Sequence, residues 1–187
     1  NEVLTETDGV LYKVDTMNSR IEWKGYKVLK SDQTTHFGSI KFESGDVTVK
    51  DGKLQSGKFV ADITTLENID LKDDQEMKAK LEGHLKSGDF FEVEKFPTAS
   101  YEITKVTENT AGDYNTLLEG NLTIKGITKP VQFKANVTVA DGNVSIASEP
   151  TDINREDFGL KFELPLENGL LNKEINLQIL VKALESK

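Results

Sequence analysis

Apolar and polar residues alternate over most of this chain, the period of two that gives a strand one dry and one wet face. The clearest run sets Val131, Phe133, Ala135, Val137 and Val139 on one face and Gln132, Lys134, Asn136 and Thr138 on the other. Leu122 and Ile124 alternate in the same way with Asn121, Thr123 and Lys125, as do Ala99, Tyr101 and Ile103 with Ser100, Glu102 and Thr104. Near the C-terminus Ile175, Leu177, Ile179, Val181 and Ala183 share a face, although Leu180 and Leu184 make its reverse less polar. Earlier strands are predicted over 21–26, 37–43, 47–50 and 54–63.

Turn residues separate these runs. Asp51-Gly52 and Asp141-Gly142 are tight-hairpin signals, since primed turns need positive φ and glycine adopts it without steric cost. The segment from Gly126 to Pro130 parts two further runs, and Pro130 is expected at a strand start because it donates nothing to a ladder. One helix is predicted over 70–85, where Leu71, Met77, Leu81 and Leu85 recur at a helical spacing among charged residues; Gly83 weakens its last turn. A polar, patternless segment over 1–10 is expected to be flexible, and 11–187 to form a single domain, with no repeat or linker inside it.

About eight antiparallel strands must dispose of their edges, either by closing into a barrel or by pairing as a sandwich. A barrel of that size is filled by its own side chains or keeps room for one small ligand.

Composition narrows the functional classes. Hydrophobic residues make up 36% of the 187 and charged residues 29%, the balance of a protein with a well-solvated exterior. No stretch approaches the ~20 apolar residues of a membrane helix. A formal charge of −9, with no dense cluster of Lys and Arg, argues against nucleic acid as a partner. The absence of cysteine excludes disulfides, thiolate metal sites and a cysteine nucleophile. The polar start at Asn1 reads as the remnant of a removed export signal or, equally, as a trimmed start.

Catalytic chemistry finds little support. The two histidines, His36 and His84, fall on different elements, without metalloprotease spacing and without a serine elbow to activate. Asp152, Asn154, Glu156 and Glu163 are spaced like calcium ligands, but Asp157 stands where such a loop needs glycine, so a solvated loop is expected. Thirty-two acidic residues offer many carboxylate pairs and single out none. No catalytic residue, metal or cofactor is assigned.

Two segments carry a family resemblance. His84-Leu85-Lys86-Ser87-Gly88-Asp89-Phe90-Phe91, followed by Lys95-Phe96-Pro97-Thr98-Ala99-Ser100-Tyr101, closely resembles the signature of the YceI-like family. The run from Gly120 to Val131, with Gly-Asn-Leu-Thr leading into Thr128-Lys129-Pro130, looks like that family's hairpin. Tyr12-Lys13-Val14-Asp15 and the stretch from Ile153 to Leu160 fit as well, so the likeness spans about 11–183. Only the polar run Lys24 to Asp32 before His36-Phe37-Gly38 departs from it, which bears on the mouth or cavity.

The resemblance implies an all-β fold, a lipocalin-like closed antiparallel barrel of about eight strands with one helix near an opening. It implies an elongated apolar cavity for a polyisoprenoid or fatty acid-like molecule, and a periplasmic or other extracytoplasmic location, with membrane anchoring through a removed N-terminal segment among the family's arrangements. The oligomeric state is left open, a dimer included. Alternation combined with the resemblance gives a candidate lining of Trp23, Phe42, Phe59, Leu85, Phe90, Tyr101, Leu122, Ile124, Phe133 and Leu160. His36 and His84 are each expected to sit at the cavity mouth or to anchor the helix, His84 at the helix end. The rival expectation is a filled barrel that serves as a protein-interaction or stress-response module; an enzyme is the third.

Overall fold

Ten antiparallel strands join one hydrogen-bonded sheet in the computed structural model, which describes residues 9–29, 32–86, 91–108, 112–140, 142–160 and 170–185. They are β1 (Val10–Val14), β2 (Arg20–Leu29), β3 (Asp32–Lys50), β4 (Lys53–Asn68), β5 (Thr98–Glu108), β6 (Thr116–Ile124), β7 (Ile127–Ala140), β8 (Asn143–Ser148), β9 (Thr151–Asn154) and β10 (Leu170–Glu185). Helix α1 (Gln75–Lys86) stands between β4 and β5, and a short 3-10 helix, Arg155–Phe158, follows β9.

Pairing runs from β2 through β3, β4, β5, β6, β7 and β8 to β10, and β10 returns to β2, so eight strands close a ring. The predicted closed antiparallel barrel of about eight strands with one helix is the fold observed. Two of its positions are shared. β1 pairs with the end of β10 and the end of β3 (Tyr12↔Glu185, Tyr12↔Val47), while β2 pairs with the start of both, so β1 and β2 form one stave interrupted at 15–19. Similarly, β8 and β9 occupy one stave beside β10, with Ala147 opposite Leu180 and Thr151 opposite Leu177.

Both interruptions leave backbone groups of β10 facing a gap, and a buried serine meets each of them. Ser19 Oγ accepts the Lys182 amide at 2.9 Å and donates to the Lys182 carbonyl at 3.2 Å. The Asp15 amide also reaches that carbonyl, at 2.7 Å. Across the strand, Ser148 Oγ accepts the Ile179 amide at 2.8 Å.

The turns follow their residues. Asp51 (φ 55°) and Gly52 (φ 77°) close Lys50 on Lys53, as expected. Gly142 (φ 79°) lies between Ala140 and Asn143, whereas Asp141 lies outside the described residues. The β6–β7 connection differs from expectation. It is a two-residue turn at Lys125 and Gly126, both at positive φ, and Pro130 sits inside β7 opposite Asn121. Counting from the closing pair Ile124↔Ile127, alternation places Pro130 at a non-hydrogen-bonded pair, so its missing N–H faces away from β6. On that side β8 ends opposite Ala135 and does not reach Pro130, so no ladder bond is lost.

Helix α1 starts later than the spacing predicted, because Leu71 to Asp74 form turns; the Asp74 carbonyl accepts Lys78 N at 2.9 Å and its carboxylate accepts Met77 N at 3.2 Å, an N-cap. Met77 is 47% exposed rather than packed inward. Leu81 and Leu85 carry the apolar face, Leu85 buried and Leu81 packed against the core.

Candidate functional site

Inside the ring the strands present a continuous apolar face. Of the ten residues expected to line it, Trp23, Phe42, Phe59, Leu85, Tyr101, Leu122, Ile124, Phe133 and Leu160 are buried in one hydrophobic cluster, together with Ile40, Phe158 and Ile175. Phe90 lies outside the described residues. Phe42 and Phe59 meet with ring centroids 6.0 Å apart, and Tyr101 meets Phe133 edge-on at 5.1 Å.

The two ends of the tube differ. One carries the β3–β4 and β7–β8 hairpins; the other carries α1, the 3-10 helix and the β6–β7 turn. Toward the hairpin end the inward side chains of neighbouring strands pack closely across Gly57. A Cβ added to Gly57 would stand 2.9 Å from Val47 Cγ1 and 3.2 Å from Ile103 Cδ1. Midway, the Tyr101 ring occupies the side-chain space of Gly120, where a Cβ would meet Cζ at 2.9 Å and the Glu102 carbonyl at 2.2 Å. The Tyr101 hydroxyl donates to the Val131 carbonyl at 2.7 Å. Burial, and to a lesser degree the Glu119 carboxylate, pushes this phenol well above the ordinary tyrosine range, so it remains a neutral donor.

At the other end a polar network fixes α1 to the barrel rim. Asn68, fully buried, ends β4; its side-chain amide donates to Asp70 Oδ1 at 2.6 Å and its Oδ1 accepts Leu71 N at 3.0 Å. Glu82 on α1 accepts the Asn68 backbone amide at 2.8 Å, and Lys78 lies between Glu67 (3.4 Å) and Glu82 (3.9 Å). Asp70 also accepts the Phe37 amide at 2.8 Å and faces His36 Nδ1 at 2.8 Å. Burial opposes the charge of Asp70, but the hydrogen bonds from His36, the Phe37 amide and Asn68 outweigh it and hold the carboxyl below the ordinary aspartate range.

His36 therefore sits at the helix end, tied to Asp70. His84 lies on α1, but its side chain falls outside the described residues. Asn68, Asp70 and Glu82 were passed over in the sequence because each reads as an ordinary turn or surface residue; only their shared end of the fold unites them.

Two grooves formed by described residues open on the outer wall. The larger, about 460 Å³, lies at the first stave interruption and is lined by Thr16–Arg20 and residues of β3, β8 and β10, the buried Ile146 and Val181 among them. The smaller, about 220 Å³, is lined by Lys13, Ser44, Gly45, Asp46, Lys58 and Val60. Among the described residues no group of three or more His, Asp or Glu is placed to hold a metal ion. Asp152 instead accepts Asn176 at 3.0 Å, and Asn154 caps the Glu156 amide at 2.9 Å; Glu163 lies outside the described residues.

A family model described as the YceI-like domain matches residues 12–183. The UPF0312 protein of Pseudomonas paraeruginosa is 30% identical over 186 residues, covering 92% of this chain and 86% of the relative. That of Staphylococcus aureus is 35% identical over 105 residues, which is 52% of this chain and 57% of the relative. Among solved structures, Burkholderia cenocepacia BcnA superposes with a TM-score of 0.69 at 18% identity, over 90% of this chain and 98% of that one. A polyisoprenoid binding domain from Saccharophagus degradans, implicated in plant cell wall breakdown, gives 0.66 at 12% identity, over 95% and 99%. At these identities the two structures attest the fold.

Proposed function

Because the chain belongs to the YceI-like family, we propose that it binds one apolar, chain-like molecule, isoprenoid or fatty acyl, inside the barrel and carries out no chemistry on it. The observation that carries this reading is the closed ring whose inward face is predominantly apolar. The polyisoprenoid-binding description of the Saccharophagus degradans neighbour supports the ligand class. Burial contributes about 0.8 kcal/mol per methylene, so ten enclosed carbons supply roughly 8 kcal/mol before the cost of association. Location outside the cytoplasm belongs to the same proposal, resting on the family resemblance, and cell fractionation tests it.

Native mass spectrometry of protein purified without detergent, followed by organic extraction, is expected to yield a stoichiometric lipid. A series of prenyl alcohols of increasing length is expected to tighten binding with each unit until the chain fills the interior, and then to level off. Recovery of apo protein that takes up neither prenyl chains nor fatty acids would support the filled barrel acting through its surface.

A further inference from the structure

The outer wall carries a depression of its own where β1 gives way to β2. The groove there, about 460 Å³, has the volume of a small-molecule site. Its charged lining residues are Arg20, Lys41 and Lys182, and among the described residues no carboxylate lines it. This is out of keeping with a chain whose Asp and Glu outnumber its Lys and Arg by 32 to 23.

The ladder brings the three cations together. All three are exposed, and Lys41 and Lys182 alternate with the buried Ile40, Phe42, Val181 and Ala183, so they stand on the wet face of the wall. Arg20 is directly opposite Lys41 of β3 and Leu180 of β10, which makes Lys182 its diagonal neighbour. Opposite residues on one face of a sheet lie about 5 Å apart at Cβ and diagonal ones about 7–8 Å, and like charges so placed repel.

The neighbouring carboxylates are committed elsewhere. Glu22 Oε2 accepts Arg20 Nε at 2.9 Å and meets Nη2 at 2.8 Å, so that edge of the guanidinium is taken. Asp15 accepts the Met17 amide at 3.1 Å and Asn18 Nδ2 at 2.7 Å; it lies in the field of Lys182 without pairing to it. Asp62, opposite Lys41 on β4, accepts the Thr64 amide at 3.0 Å and the Thr64 hydroxyl. Glu43 follows Lys41 at the bulge of β3 and does not line the groove. Among the described residues neither Lys41 nor Lys182 forms an ion pair.

This donor set selects the kind of anion. A planar carboxylate is best met by a free guanidinium fork, and Glu22 already occupies an edge of that fork. Two ammonium groups are point charges with three donors each, suited to an oxyanion whose oxygens point to several sides. Ser39 of β3 and Ser145 of β8, the latter opposite Lys182, add a hydroxyl at either edge of the groove. A phosphate monoester, with a charge of about −1.5 to −2 at neutral pH and three acceptor oxygens, meets both requirements.

We infer that the groove binds a phosphate group between Lys41 and Lys182, beside Arg20, carried by a soluble phosphate ester or by a lipid head group. The site lies on the outside of the wall and stands or falls independently of any guest inside the barrel.

Glycerol 3-phosphate is the soluble probe, and phosphatidylcholine vesicles doped with phosphatidic acid are the lipid one. In ¹⁵N-labelled protein the amide resonances of Arg20, Lys41 and Lys182 are expected to shift saturably with the ester. Lys41→Gln and Lys182→Gln are each expected to weaken binding about fivefold, the upper end for one exposed charge. Lys134→Gln, on the outer face of β7 and away from the groove, is expected to leave it unchanged. Vesicle capture that both groove variants abolish, without a response to the ester, assigns the phosphate to a lipid head group; a response to the ester without capture assigns it to a soluble molecule. Silence toward both probes overturns the proposal. So do equal shifts with acetate at the same ionic strength, or a loss in Lys134→Gln as large as in the groove variants. Both groove lysines are exposed, so their variants are expected to keep the parent's urea midpoint and to read binding alone.

Discussion

Ser148→Ala tests whether the ring is closed by the serines at its interrupted staves. Ser148 is 1% exposed, and its Oγ is the acceptor for the Ile179 amide at 2.8 Å, in the gap between β8 and β9. Alanine leaves that N–H facing hydrocarbon with no room for water, which costs about 2 kcal/mol. For a chain of this size that lowers Tm by roughly 4–8 °C, and with an m-value near 2 kcal/mol/M it moves the urea midpoint by about 1 M. Ser19→Ala is expected to cost about half as much. The Asp15 amide still reaches the Lys182 carbonyl, and the outer groove beside Ser19 admits water to the freed amide. Urea titration measures both variants, and hydrogen exchange should show the Ile179 amide losing protection in Ser148→Ala. A Ser148→Ala midpoint within about 0.2 M of the parent, or a larger loss for Ser19→Ala, would refute the role given to these hydroxyls.

Three further outcomes are expected. Asp70→Ala strips an acceptor from His36, the Phe37 amide and Asn68 and should cost about 3 kcal/mol at pH 7 by chemical denaturation. Because the folded carboxyl titrates below its unfolded value near 3.9, the stability it supplies is complete above that pH and drains away as the pH falls through the lowered value; Asp70→Asn should flatten that acid limb. Gly120→Ala should lose roughly 3 kcal/mol in thermal melts, and removing the ring with Tyr101→Ala should not restore it, since the nearer obstacle is the Glu102 carbonyl of the backbone. Gly83→Ala should gain up to about 1 kcal/mol, as a Cβ there meets nothing within 4 Å and the residue lies inside α1; a loss in the same melts would show that the glycine serves a contact of its own.

Alternation made the strands legible because one face of each meets the tube and the other meets water. The run from Val131 to Val139 was read on the correct face for this reason. The same signal hid β3, whose stretch from Asp32 to Lys50 crosses bulges at 39–41, 42–44 and 48–49 against β4. Only the shift at 42–44 puts the extra residue on β3, moving its inward positions from Ile40 and Phe42 to Val47 and Val49, so one long strand reads as two. The Lys125-Gly126 turn escaped notice because Lys125 carries no turn signature of its own; the ladder on either side imposes its positive φ. Met77 fell on the wrong side because a helix held at the rim by Asn68, Glu82 and Lys78 needs only Leu81 and Leu85 to pack. Asn68 is the clearest case of information absent from the sequence. Nothing local distinguishes a fully buried asparagine from one in a turn, because its burial depends on a helix and a strand that meet only in the fold.

The polar groups inside this barrel are accounted for by its closure, with one exception. At the wall, the inward hydroxyls have assigned work: Ser19 and Ser148 close staves, and Tyr101 ties β5 to the β7 carbonyl at Val131. At the rim, Asn68 and Asp70 satisfy one another and the turn that leads into α1. A core built for stability alone would spend a buried donor in this way or replace it with carbon, since either choice avoids the cost of desolvating a group that bonds to nothing. Trp23 does neither: among the described residues its buried Nε1 has no hydrogen-bond partner, although phenylalanine offers a ring without the N–H.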